Sequence, residues 1–119
     1  MPKTTINTEN EPERAVLVAV ERKGTEFDQD LSELHELVRT AGAEAVATVT
    51  QKRDNPSPST YLGTGKVIEV KELAIAHQAD VVIVDDDLSP VQQRNLGERL
   101  ERRVLDRTQL ILDIFAQRA

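Results

Sequence analysis

Two stretches without a polar residue, Ala15-Val16-Leu17-Val18-Ala19-Val20 and Val81-Val82-Ile83-Val84, restrict the fold more than anything else in the chain. Both have strand length. A strand that is apolar at every position must be covered on both faces, the situation of a parallel sheet lying between helices. Elsewhere the apolar residues follow a helical period. Leu31, Leu34, His35 and Val38 fall at i, i+3, i+4 and i+7, with Asp28 or a neighbour as the cap and Gly42 as the stop. Residues 43–50 form a second strand and run into a proline-containing loop over 51–60. The turn Gly63-Thr64-Gly65-Lys66 opens a helix reaching about Gln78, with Val67, Val70 and Ala74 on one stripe and Leu73 beside it.

The third strand, residues 80–84, ends in Asp85, Asp86 and Asp87. Ser89-Pro90-Val91-Gln92 is a capping box with proline at the first helical position, so a helix begins there and carries Leu96 and Leu100 inward. A short strand at Arg103-Val104-Leu105 follows. Asp106 and Gln109 then form another capping box before a last helix with apolar residues on more than one side. Strand and helix alternate four times, which predicts an α/β three-layer α/β/α sandwich with a four-stranded parallel sheet. Order 2-1-3-4 is the usual solution. The 119 residues allow one domain, over 14–119, preceded by a polar arm at 1–13 that reads as flexible.

Several function classes are excluded by what the chain lacks. Without cysteine there is no disulfide, thiolate metal site or cysteine nucleophile. No apolar stretch approaches the roughly 20 residues of a membrane span, and the N-terminus has no signal-peptide pattern, so a cytoplasmic location is expected. The net charge of −6 argues against a general basic coat, and any nucleic-acid contact must be local. The turn at Gly63 to Lys66 brings amides and a lysine to a helix N-terminus, as phosphate binding requires. A Walker loop is nevertheless excluded, because Thr60 and Val67 stand where that pattern has glycine and a hydroxyl residue. The plain alternative is that both glycines only shape the junction. Asp85, Asp86 and Asp87 could hold magnesium but read as solvated loop acids. His35 and His77 have no nucleophile-elbow serine near them and read as packing residues. No catalytic residue and no metal site is assigned.

Cations gather in two places. Lys52, Arg53 and Lys66 surround the long loop, with hydroxyl groups and Tyr61 available for phosphate contact and base stacking. Arg94, Arg99, Arg102, Arg103 and Arg107 are interleaved with acids, as on a solvated helix face.

Three stretches in order resemble the HflX family of ribosome-associated GTPases: Tyr61-Leu62-Gly63-Thr64-Gly65-Lys66, then Leu88-Ser89-Pro90-Val91-Gln92-Gln93-Arg94-Asn95-Leu96, then Asp106-Arg107-Thr108-Gln109-Leu110 continuing through residue 119. The likeness covers residues 14–119. Gly97 departs from it, standing where the family pattern usually has glutamate. The resemblance implies an intact protein that continues into a helical hairpin and a GTPase domain, with GTP and magnesium bound there and neither in this chain. It further implies contact with the large ribosomal subunit in ribosome splitting or rescue, with Lys52, Arg53, Tyr61, Gly63, Gly65, Lys66 and, less directly, Arg94 on ribosomal RNA. On this reading the chain by itself is a binding module and not an enzyme. Two rival readings remain: an ATP- or GTP-binding domain using the turn from Gly63 to Lys66, and an intramolecular regulator that docks on the GTPase domain through the last helix.

Overall fold

The computed structural model describes residues 11–118. Its elements alternate as β1 (Arg14–Glu21), α1 (Phe27–Thr40), β2 (Glu44–Lys52), α2 (Thr64–Ala76), β3 (Val81–Val84), α3 (Pro90–Leu100), β4 (Arg103–Asp106) and α4 (Arg107–Arg118). The four strands form one parallel sheet in the order β2-β1-β3-β4. Side chains of successive strand residues point to opposite faces, so the apolar runs supply two cores. Val16, Val18, Val82, Val84 and Val104 meet Val67, Val70 and Ala74 of α2 and Leu96 and Leu100 of α3. On the other face, Ala15, Leu17, Val81, Ile83 and Leu105 meet Leu34 and Val38 of α1 and Leu110 and Ile114 of α4.

Both capping boxes form. Ser89 Oγ accepts from the Gln92 amide at 3.1 Å while Gln92 Oε1 accepts from the Ser89 amide at 2.9 Å. Asp106 Oδ1 and Gln109 Oε1 exchange the same pair of bonds at 2.9 and 3.0 Å. Gly42, at φ 85°, closes α1 with its amide on the Arg39 carbonyl.

Five details differ from the sequence reading. β2 continues to Lys52, because its last residues still pair with Val20 and Glu21 of the longer β1. α1 starts at Phe27 with no side-chain cap, and Asp28 lies in its first turn, favourable to the helix dipole. His35 is exposed, since the buried stripe runs through Leu34 and Val38 with Leu37 beside it. α2 ends at Ala76, where Gln78 takes up a left-handed conformation at φ 52° and the Ala79 amide bonds back to the Ala74 carbonyl. Of the arm anticipated over 1–13, residues 1–10 lie outside the described part. Glu13, however, belongs to the fold: it is buried, pairs with Arg103, and offers its carbonyl to the Glu44 amide.

Candidate functional site

All four strands point their carboxyl ends to one edge, where open parallel sheets expose loops able to take ligands. The order β2-β1-β3-β4 sorts charge along that edge. β1 and β2 are followed by Arg22, Lys23 and Arg53, with Lys52 closing β2, whereas β3 is followed by Asp85, Asp86 and Asp87 and β4 closes on Asp106. Over the basic half lies an open cavity of about 460 Å3 lined by Arg22, Lys23, Lys52 and Arg53 together with Glu21 and Asp54. Lys23, Lys52 and Arg53 form no ion pair among the described residues. Arg22 does, with Asp86.

The acids of the other half are satisfied within the protein. Asp85 receives Arg107 at 2.8 Å, and the same guanidinium reaches Glu33 at 2.8 Å. Burial nonetheless raises the Asp85 carboxyl above the ordinary aspartate value, against the lowering pull of Arg107. Asp86 accepts from Arg22, from the Asp87 amide and from Tyr61 Oη at 3.1 Å. Asp87 accepts from Thr108. No group of three or more metal-ligating side chains occurs among the described residues.

The anticipated contact residues separate. Lys52 and Arg53 share the cavity, and Gly63 adjoins them: a Cβ there would lie 3.0 Å from Arg53 Nη1 and 3.2 Å from Gln51 Nε2. The Gly63 amide is already given to Gln51 Oε1 at 3.1 Å, so it is not free for an anion. Gly65 is exposed in the first turn of α2, a turn with neither an acid nor a side-chain cap. Lys66 follows it, half-buried, with Nζ 3.4 Å from Glu69. Arg94 is exposed on α3 and lines a separate groove with Gly97 and Gln109.

Tyr61 corrects the sequence reading most sharply. It is 2% exposed and belongs to the same core as Val16, Val18 and Val84, so its ring is unavailable to stack on a base. It also adopts φ 65°, unusual for a residue with a Cβ, and its hydroxyl is turned to Asp86. Burial, reinforced by the Asp86 carboxylate, holds its phenol well above the ordinary value. In the second cation group, Arg102 donates to the Ala79 carbonyl, Arg103 pairs with Glu13 and Arg107 bridges two acids; these three are structural and not merely solvated.

Arg22 and Lys23 were missed by the sequence reading. Their signal was positional: with β1 and β2 adjacent, residues leaving β1 must meet those leaving β2.

Parallel strands alternating with helices, with a divided carboxyl edge, define a three-layer α/β module. The family model described as GTP-binding GTPase N-terminal matches residues 28–116. A GTPase HflX of Lacrimispora saccharolytica is 51% identical over 109 residues, covering 90% of this chain and 26% of that protein. For the GTPase HflX of Escherichia coli, identity is 48% over 107 residues, with 90% and 25% covered. The chain therefore belongs to the GTP-binding GTPase N-terminal family and corresponds to the N-terminal domain of HflX GTPases, spanning about a quarter of their length. A solved SsGBP–GDP complex shares the fold at TM-score 0.69 and 25% identity, over 90% of this chain and 30% of that one. So does a GDP-bound GTP-binding protein from Sulfolobus solfataricus, at TM-score 0.66 and 24% identity, over 87% and 30%. No helix among the described residues is long and apolar enough to cross a membrane.

Proposed function

We propose that this domain is the ribosome-contacting module of a longer GTPase, and that it meets ribosomal RNA of the large subunit through the basic half of its sheet edge. The observation that carries the reading is the grouping of Lys23, Lys52 and Arg53 around one open cavity without ion-pair partners among the described residues. Such cations are free to replace the counterions of a phosphate backbone. The rest of the edge is acidic and would be held away from RNA, which gives the contact an orientation. Family membership supports a role beside a GTPase domain, where GTP, magnesium and hydrolysis would belong. Separation of ribosomes into subunits would be the task of the intact protein, in the cytoplasm.

The rival nucleotide-binding reading is weakened by the Gly63 amide, which is engaged within the protein. The test is co-sedimentation of the chain with purified large ribosomal subunits over a salt series, beside the triple variant Lys23→Ala/Lys52→Ala/Arg53→Ala. Saturable binding that weakens with salt and in the variant is expected. Folded protein that stays in the supernatant at low salt would overturn the reading.

A further inference from the structure

The connection between β2 and α2 runs over residues 53–63 and is longer than most connections in compact domains, a length at which a loop is commonly mobile. This one is tied down from an unrelated helix. Gln92 and Asn95, three residues apart and hence on one face of α3, both donate to its backbone: Gln92 Nε2 to the Ser57 carbonyl at 2.8 Å, Asn95 Nδ2 to the Ser59 carbonyl at 3.0 Å and to Ser59 Oγ at 3.2 Å. Within the loop, Ser57 and Tyr61 exchange two backbone bonds, and Ser57 Oγ accepts the amides of Ser59 and Thr60. The loop's first residue is fixed as well, with the Arg53 amide on the Glu21 carbonyl and Arg53 Nε on the Asn55 carbonyl.

We infer that Gln92 and Asn95 are positioning residues, which lock loop 53–63 onto α3 and thereby present Arg53 and its neighbours to RNA in one preformed arrangement. The inference rests on the proposed RNA contact for its purpose, but not for the lock itself. Neither amide side chain need touch the ligand. Their effect is to remove, before binding, ordering that a free loop would undergo during it. Gln92 serves two ends at once, because its Oε1 completes the cap of α3 while its Nε2 holds the loop.

The double variant Gln92→Ala/Asn95→Ala tests this, with Ser89→Ala as the control that weakens the cap and leaves both loop bonds. Hydrogen exchange is read at the Ser57 and Tyr61 amides, and large-subunit binding is read over a salt series. The lock predicts exchange at these amides faster by roughly ten-fold or more in the double variant and unaltered in Ser89→Ala. Affinity should fall by roughly three- to ten-fold with an unchanged salt slope, since no phosphate contact is lost, whereas Lys52→Ala lowers the slope. Exchange equal to wild type would overturn the lock. Faster exchange with wild-type affinity would overturn the positioning role. Wild-type chain that does not bind at all would overturn the RNA reading, with the exchange data still deciding the lock. If the alanine pair fails to fold, Gln92→Glu replaces it in the exchange experiment, keeping an acceptor for the Ser89 amide and losing the donor to Ser57.

Discussion

Tyr61 concentrates several costs in one side chain: a left-handed backbone at φ 65°, a buried ring and a hydroxyl committed to Asp86. They are tolerated because the ring is part of the core on the sheet face covered by α2 and α3. Being the only tyrosine in a chain without tryptophan, it can be followed directly. Its phenol is raised above the ordinary 10.0 by burial and then by Asp86. Above that pH the unfolded chain has lost a proton that the folded chain keeps, so stability contributed by this group falls as pH rises past 10.0. Phenolate absorbance should therefore appear with alkaline unfolding and not before it. A rise centred at the ordinary value in protein still folded by circular dichroism would contradict the burial. Tyr61→Phe keeps the ring and removes the hydroxyl, and should lower unfolding free energy in urea by about 1 kcal/mol. None of this was legible at the position itself, since a tyrosine after Ser59 and Thr60 reads as loop surface. Burial came from the tertiary fold, which curls the loop back beneath α3.

At the scale of elements, the open edge of β4 shows how a capping residue, Gln109, can do more than start a helix. Gln93 Nε2 donates to the Val104 carbonyl at 2.8 Å, and Gln109 Oε1 accepts the Asp106 amide at 3.0 Å. The two glutamines also bond to each other at 2.8 and 3.2 Å. They form a clasp along an edge strand that would otherwise offer bare backbone groups to another chain. Gln93→Ala/Gln109→Ala is expected to lower stability by about 1 to 3 kcal/mol and to promote association at high concentration. Unchanged melting together with unchanged sedimentation would show the clasp to be dispensable. Within α3, Gly97 works the other way. A Cβ there would meet only the Arg102 carbonyl, at 3.7 Å, so Gly97→Ala should stabilise by about 1 kcal/mol in the same assay. The elements themselves were legible because the apolar runs, the two capping boxes and the glycine stop at Gly42 agreed, while the start of α1, which no side chain caps, was not. The clasp was not, since Gln93 carries no periodic signal and its partner, Gln109, reads only as half of a cap.

For the whole molecule the governing fact is a net charge of −6 carried by a body with one basic half-edge. On the proposed reading phosphate approaches this half-edge, so few cations should share the electrostatic work. With Lys23, Lys52 and Arg53 as those cations, each neutralised phosphate contributes about 0.7 to 0.9 to the slope of log affinity against log salt, which gives a total of about −2 to −3. Removal of Lys52 or Arg53 should bring the slope toward zero by about 1 each. Arg107→Ala should leave the slope unchanged while reducing stability, because that guanidinium is spent on Asp85 and Glu33. A wild-type slope near −6 would instead require cations beyond this half-edge, with Arg94 and Arg99 on α3 the first to examine. The division of the edge was legible only in part: parallel pairing was implied by the alternation of elements and the order β2-β1-β3-β4 was only the usual solution, while which cations remain free depends on Arg22 reaching Asp86 and Arg107 reaching Asp85. Those pairings span 64 and 22 residues of chain, and separations of that size leave no local pattern to read.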